Sequence, residues 1–308
     1  MYSINLYRAV IGTNSWGSKA YGRVLRRSSV DKQTLKETAC EAVERGLVVF
    51  DTARDYGLGQ GQKLIGELCP KTALISAKYT PPRKYVSGQV RRSFEKDLAD
   101  LGRDFIDIYW LHLPNCIEQN ISEMIALYKE GLIGNIGISN FSEEECRRAK
   151  QLLDEAGVPL VGVQNHYSIL ARTWEQNGLV DWCRENGVQF WAWAVLEEGL
   201  LVPPKKGGRL SLMKLFYLRR QSKLLPLYKK MYIIGKRHDI TAAQTAMAFC
   251  SSKGIVPVCG CRKPYQTADL DKAVSVTLTE SEIADLERTA DRTGVKILGA
   301  DMFRFAVK

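Results

Sequence analysis

Short apolar runs rich in β-branched and aromatic residues alternate along this chain with longer stretches whose apolar residues recur every three or four positions. The short runs are Val10–Thr13, Leu47–Asp51, Ala73–Lys78, Phe105–His112, Ile133–Ser139, Leu160–Gln164, Val188–Trp193 and Ile255–Gly260. Several are apolar almost throughout, as expected of parallel strands covered on both faces. The longer stretches read as helices with recognisable ends. Ser29–Arg45 stops at Gly46, Val86–Leu101 at Gly102, Ser142–Ala156 at Gly157 and Trp174–Asn186 at Gly187. Glycine supplies the left-handed residue that ends a helix. Ser142 with Glu145, and Thr279 with Glu282 ahead of a final helix over Thr279–Ala290, have the spacing of capping boxes. A long Pro/Gly/Lys stretch, Val202–Arg209, and more than one helix separate the seventh strand from the eighth.

Strict strand–helix alternation implies a parallel sheet with right-handed crossovers. Eight such units favour a closed α/β barrel, (β/α)8, over an open sheet. No linker or shift of composition divides the 308 residues, so one barrel domain over residues 1–308 is expected, with a short N-terminal segment and a C-terminal helix.

In such a barrel the residues just past the C-terminal strand ends meet at one mouth. This sequence places there Thr13, Asn14 and Trp16 after the first strand, Asp51 with Tyr56 after the second, and Lys78 on the third. His112 ends the fourth strand, Ser139 and Asn140 the fifth, Gln164 the sixth and Trp193 the seventh, while Gly260 with Arg262 closes the eighth. A row of polar strand ends is not what core packing selects, because unpaired polar groups are costly to bury.

Asp51, Tyr56, Lys78 and His112 form a coherent chemical set. A tyrosine is a weak acid, with a reference pKa of about 10. A neighbouring ammonium favours the phenolate and eases proton donation to a carbonyl oxygen. Asp51 can hold that ammonium, and a histidine can orient the carbonyl. No side chain supplies a hydride, and a nicotinamide is the simplest donor. Taken singly, each residue has a plainer reading as a turn, cap or solvated charge; their joint placement on three successive strand ends sets them apart. His166 and His238 are expected at the surface or behind the site, with no role.

Composition narrows the alternatives. With three histidines in the chain, a His/carboxylate metal centre is disfavoured and none is expected. Ser139 lies outside any Gly-x-Ser-x-Gly elbow, which argues against a hydrolytic triad. The formal net charge of +10 comes from scattered Lys and Arg and reads mainly as a solvated surface; neither nucleic acid nor membrane is expected as a partner. The eight cysteines include no Cys-x-x-Cys pair, and Met1–Val10 has no secretory pattern, so a reducing cytoplasmic setting is expected.

The segment Phe50-Asp51-Thr52-Ala53-Arg54-Asp55-Tyr56-Gly57 resembles the signature of the aldo-keto reductase family around its catalytic aspartate and tyrosine. Ser76-Ala77-Lys78 resembles the family's lysine segment and Asp107–Pro114 its histidine segment. Gly137–Phe141 and Gln164–Ser168 resemble the segments that bind the nicotinamide carboxamide. The order and spacing match from about Gly12 to the last helix. The resemblance implies an NADPH-dependent oxidoreductase that interconverts a carbonyl (aldehyde, ketone or sugar) and an alcohol. Tyr56 would be the general acid, tuned by Lys78 and Asp51, with His112 beside the carbonyl.

The same resemblance assigns the cofactor-binding positions. Ser139, Asn140 and Gln164 would hold the carboxamide, Asp51 would lie near the ribose, and Trp193 would replace the tyrosine that usually stacks on the nicotinamide. Thr13, Asn14, Ala194, Leu196, Gly199 and Gly260 would line the remainder. Arg262 and Lys263 would meet the adenosine 2′-phosphate, with Gln266 and Asp269 on the adenine side; Leu270 stands where an Asn often gives one further contact. Glu197 and Glu198 would repel a pyrophosphate unless they point outward or pair with Lys205 or Lys206, and the outward arrangement is expected. Trp16, Tyr79 and His112 are the candidate substrate contacts, with Tyr21 and Tyr85 as further aromatic walls. The alternative function is a slow or non-catalytic NADPH-binding regulatory subunit; the intact catalytic positions argue against a dead enzyme and leave a slow one open.

Overall fold

The computed structural model describes residues 7–17, 30–204 and 220–297. Eight parallel strands close into a barrel in sequence order: β1 (Val10–Gly12), β2 (Val49–Asp51), β3 (Leu74–Tyr79), β4 (Ile108–Leu111), β5 (Ile136–Ser139), β6 (Leu160–His166), β7 (Gln189–Trp193) and β8 (Val256–Gly260). β1 pairs with β8 as well as with β2, which closes the ring. Every expected strand is present. Six begin later than the apolar pattern suggested, β4 and β5 the most, by three residues each: Ile106 and Ile133 make an isolated bridge ahead of them rather than extending them.

Helices wrap the barrel: α1 (Lys32–Glu44), α2 (Gly61–Leu68), α3 (Gln89–Leu101), α4 (Ile117–Lys129), α5 (Glu143–Glu155), α6 (Thr173–Gln176), α7 (Leu179–Glu185), α8 (Leu225–Arg237), α9 (Ala242–Ser252), α10 (Pro264–Val274) and α11 (Glu280–Arg292). The two capping boxes form as the sequence predicts, at Ser142/Glu145 and Thr279/Glu282. α1 begins later than expected, behind Asp31, whose carboxylate accepts from the Thr34 amide at 2.8 Å. The single helix expected over Trp174–Asn186 is two. Gly178 adopts φ 89 between α6 and α7, a left-handed conformation that breaks the helical run although the apolar spacing continues across it.

Alternate residues of each strand face opposite sides of the sheet, and the buried residues divide accordingly. Val10, Val49, Ile108, Trp110, Val161, Trp191, Val256 and Val258 form a compact cluster inside the barrel. The Trp110 and Trp191 rings meet there at 4.9 Å between centroids. Gly137 and Gly162 make room for them: a Cβ at Gly137 would stand 2.3 Å from the Trp110 ring. The larger cluster, which includes Ile11, Phe50, Ala77, Tyr109, Ile138 and Phe190, takes the opposite parity and packs the sheet against the helices. Inward parity continued to the strand ends includes Gly12, Asp51, Lys78, Ser139, Trp193 and Gly260. On β6 the register shifts past Val161, and this puts Gly162 and Gln164 in the inward phase. Apart from that one shift, the barrel core and the mouth are built from one set of alternating positions.

Candidate active site at the barrel mouth

Asp51 ends β2 and is paired in register with Gly12 of β1 and Ser76 of β3. Its carboxylate is buried and fully engaged. Oδ1 accepts from Ser76 Oγ at 2.9 Å and from Gln164 Nε2 at 3.0 Å, and Oδ2 accepts from Lys78 Nζ. The lysine, buried on β3, also donates to Thr52 O at 3.3 Å and to the Tyr56 hydroxyl at 3.4 Å. Its ammonium lies 5.1 Å from the centre of the Tyr56 ring. Tyr56 is brought there by a single 3₁₀ turn, Tyr56–Gly59, directly after β2.

The electrostatics follow from burial and these partners. Burial opposes the Lys78 charge, but the Asp51 carboxylate and the Tyr56 oxygen outweigh it, so the lysine pKa is raised and the ammonium persists. For Tyr56 burial is the largest influence and pushes the phenol upward; Lys78 pulls downward and Asp51 upward. The lysine acts in the expected direction without reversing the effect of burial. Tyr56 is therefore a protonated donor at neutral pH. Burial and the Lys78 charge depress His112 from 6.5 to about 3, so its imidazole is neutral.

The backbone amide of His112 donates to Tyr79 O at 2.9 Å, fixing the end of β4 against that of β3. Its Nδ1 lies 2.9 Å from the hydroxyl of Thr80, which in turn donates to Asp55 at 3.2 Å. Thr52, Ser76, Thr80 and Asp55 were not singled out from sequence. Ser76 carried a signal that could have found it, since it lies two residues before Lys78 and shares its face of β3.

The candidate nicotinamide contacts come together beside Asp51. Ser139 Oγ donates to Gln164 O at 2.7 Å. Asn140, held at φ 63, donates to His112 O at 3.1 Å and to Ser139 Oγ at 3.2 Å, and its Oδ1 accepts from the Trp193 indole at 3.2 Å. Trp193 is half-buried, and its ring stacks on His166 at 4.6 Å and 26°. Thr13 is buried and bonds the Asp51 carbonyl through its amide and hydroxyl, while Asn14 is exposed.

Of its two expected places His166 takes the one behind the site: it is 2% exposed, stacks on Trp193 and pairs with Glu197 at 2.9 Å. One expectation near β7 is corrected. Glu197 does not point outward; it is buried, accepting from His166 and from Ser168. The backbone turns it inward, with Ala194, Glu197 and Glu198 all in the left-handed region at φ 59, 48 and 54. Glu198 is exposed, as expected. Lys205 and Lys206 lie outside the described residues, as does Tyr21. His238 is partly exposed and pairs with Glu282 at 2.8 Å. Leu196 and Gly199 lie in the same loop, partly buried, with Gly199 at φ 94.

The aromatic walls are placed differently from the sequence picture. Trp16 is fully buried, donating to Cys261 O at 2.7 Å and meeting Phe50 edge-on. Tyr79 is 2% exposed. Tyr85 is exposed, but its hydroxyl is tied to Glu123 of α4 at 2.6 Å. Both Trp16 and Tyr79 pack into the barrel wall rather than opening to solvent.

Past β8, Gly260 is exposed, and Arg262 and Lys263 lead into α10. Gln266 Oε1 accepts from the Arg262 and Lys263 amides at 2.8 and 3.1 Å, which fixes this basic turn. Asp269 accepts from Gln244 at 3.0 Å, and Leu270 is fully buried in the sheet–helix core.

The model of the aldo/keto reductase family matches residues 8–291. The chain is 27% identical over 301 residues to the chloroplastic pyridoxal reductase of Arabidopsis thaliana, covering 91% of this chain and 82% of that protein. A thermostable aldo-keto reductase solved in complex with the inhibitor epalrestat superposes with TM-score 0.71 at 26% identity, over 92% of this chain and 94% of the other. An aldo-keto reductase from Klebsiella pneumoniae, solved with NADPH, has the same fold, with TM-score 0.72 at 21% identity and coverage of 91% and 90%.

Proposed function

The chain belongs to the aldo/keto reductase family of oxidoreductases, and from that premise we propose that it is an NADPH-dependent reductase of aldehydes, ketones or sugar carbonyls, with Tyr56 as its acid. The observation that carries this reading is the buried Lys78 ammonium, bonded at once to the Asp51 carboxylate and the Tyr56 hydroxyl at the barrel mouth.

The residues present suit a nicotinamide dinucleotide. Ser139, Asn140 and Gln164 offer hydroxyl and amide groups around one flank of Asp51, and Trp193 offers a half-buried aromatic face beside them. Gly260 leaves the end of β8 without a side chain, and two basic residues follow on a turn that Gln266 holds. NADPH, when bound, would supply the hydride.

The chain's own groups would supply the proton and the positioning. Tyr56 would give its phenolic proton to the carbonyl oxygen as negative charge develops there. Lys78, kept charged by Asp51, would stabilise the resulting phenolate against the burial that opposes it, by an attraction that the low-polarity surroundings strengthen. His112, neutral at working pH, would lie against the oxygen end of the substrate and fix its orientation. Trp16 and Tyr79 would shape the wall from behind rather than touch the ligand. All eight cysteines are unpaired thiols, which supports a reducing compartment such as the cytoplasm. No helix among the described residues is long and apolar enough to cross a membrane.

Fluorescence titration with NADPH and NADH, followed by carbonyl panels monitored at the nicotinamide absorbance, tests the reading. NADPH binding with turnover of some carbonyl is the expected result. Binding without turnover on any carbonyl or alcohol would replace it with the regulatory role, and binding of neither nucleotide would end it.

A further inference from the structure

The net charge of +10 is concentrated in one stretch of the chain. From Gly199 to His238 there are eleven Lys and Arg and no Asp or Glu, which leaves 33 basic against 34 acidic residues in the remainder. Six of the eleven, from Arg220 to Arg237, lie on described residues, and four of those six are on α8.

One side of α8 is committed to the fold. Leu227, Met231 and Ile234 are buried, and the Tyr228 hydroxyl donates to Leu200 O at 2.6 Å. Lys230 and Arg237 pair with Asp285 and Glu282 of α11 at 3.0 and 3.5 Å. The other side is open. Leu225, Tyr232 and Ile233 are 60%, 54% and 40% exposed. Spacings of four, three and four residues set Leu225, Lys229, Tyr232 and Lys236 along one line of the helix, with Ile233 beside it. Lys236 Nζ lies 5.6 Å from the centre of the Tyr232 ring, and neither Lys229 nor Lys236 forms an ion pair among the described residues. A single exposed apolar residue needs no explanation. Three on one face of a firmly held helix, interleaved with lysines, mark an interaction surface.

We propose that this face of α8 docks the barrel on an anionic lipid surface. Leu225 and Ile233 would enter the acyl boundary, Tyr232 would sit at the headgroup level that suits its amphipathic ring, and Lys229 and Lys236 would meet headgroup phosphates. α8 has 13 residues, too few to span the hydrocarbon, so it would lie in the plane of the interface. Charge and apolarity together select this partner. A second copy of the chain on the same face would bring lysines against lysines. A nucleic acid would leave Leu225 and Ile233 without an apolar partner. The sequence pattern alone predicts no membrane partner, because the open side of α8 shows only in the tertiary structure. The docking is independent of the reductase reading.

Flotation of the full-length protein with vesicles tests it. Vesicles of phosphatidylglycerol and phosphatidylcholine in equal parts should bind the protein, and vesicles of phosphatidylcholine alone should bind at least about tenfold less. Added salt should weaken the binding. Lys229→Gln and Lys236→Gln should each lower affinity by about fivefold. Leu225→Ser with Tyr232→Ser and Ile233→Ser keeps every charge and should lower it by at least about tenfold. All five side chains are exposed, so unfolding midpoints should stay at the wild-type value. Flotation with neither vesicle, or equally with both, overturns the docking. Anionic binding that the apolar variant leaves intact overturns the assignment to α8. A wild-type dimer that the apolar variant makes monomeric, without flotation, would make the occupant a second copy. Salt-sensitive binding of poly(U) without flotation would make it a nucleic acid. Either result ends the proposal.

Discussion

Tyr56 and His112 show how burial and neighbouring charge divide the work at single residues. Burial raises the Tyr56 pKa despite Lys78, which keeps a proton available for donation at neutral pH. Tyr56→Phe should lower turnover by about 10²–10⁴-fold, the usual contribution of a positioned acid, with nucleotide affinity nearly unchanged. Wild-type rates in single-turnover reduction would remove Tyr56 from its role. For His112 the folded value of about 3 lies below the ordinary 6.5, so the folded protein binds fewer protons at this group than the unfolded chain does. Its contribution to stability is therefore complete above about pH 6.5 and is lost as the pH falls toward 3. Urea melts of wild type and His112→Gln between pH 7 and pH 4 should show the difference between them changing in the wild type's disfavour on acidification. A difference independent of pH would mean that His112 titrates normally.

Two elements carry predictions of their own. Gly66 lies in the middle of α2, where alanine would ordinarily gain up to about 1 kcal/mol in helix propensity. A Cβ there would stand 2.3 Å from the Leu101 carbonyl oxygen at the end of α3, and backbone cannot swing aside as a long side chain can. Overpacking costs about 1–3 kcal/mol, so Gly66→Ala should be net destabilising by about 1–2 kcal/mol in chemical denaturation. An unchanged midpoint would show that α2 and α3 part freely. The turn from β8 into α10 is the second case. Gln266 organises the amides of Arg262 and Lys263, so the two basic residues leave the barrel in a defined order. Arg262→Ala should weaken NADPH by about tenfold relative to NADH, the scale of one charge-assisted hydrogen bond. Equal effects on the two nucleotides in parallel titrations would place the 2′-phosphate elsewhere.

At the scale of the whole molecule, the barrel is tied to its helical shell by a buried polar junction as well as by apolar packing. Asp97 of α3 is fully buried, accepting from Arg54 at 2.6 Å and from Tyr109 of β4 at 2.8 Å. Burial raises its pKa, with Arg54 and Tyr109 opposing that rise. Asp97→Ala would leave the Tyr109 hydroxyl without its acceptor and remove the nearer carboxylate partner of Arg54, leaving Asp100 at 3.4 Å. Breaking a buried pair typically costs about 3–5 kcal/mol, and because Arg54 is a third exposed the lower end is expected. Equilibrium denaturation measures it; a loss near zero would show that the layers hold through apolar contacts alone. Arg54 lies in the segment between Asp51 and Tyr56, so this junction also braces the loop that presents the tyrosine.

The linear sequence determined the order and number of strands and the ends of most helices, because these follow from local periodicity, caps and left-handed glycines. It also determined that polar residues recur at strand ends. Gly178 marks where that local reading failed: the apolar spacing runs through it, and the left-handed backbone that divides α6 from α7 shows only in the glycine itself. Only the tertiary structure decided which strand residues face inward, since strands covered on both sides read as apolar throughout and hide their parity. Closure of the ring then brought Asp51, Lys78 and Gln164 into bonding distance across 113 residues of chain. Closure likewise buried Trp16 and turned Glu197 inward onto His166, because the partners that satisfy a buried group come from distant strands and loops whose proximity no local pattern encodes.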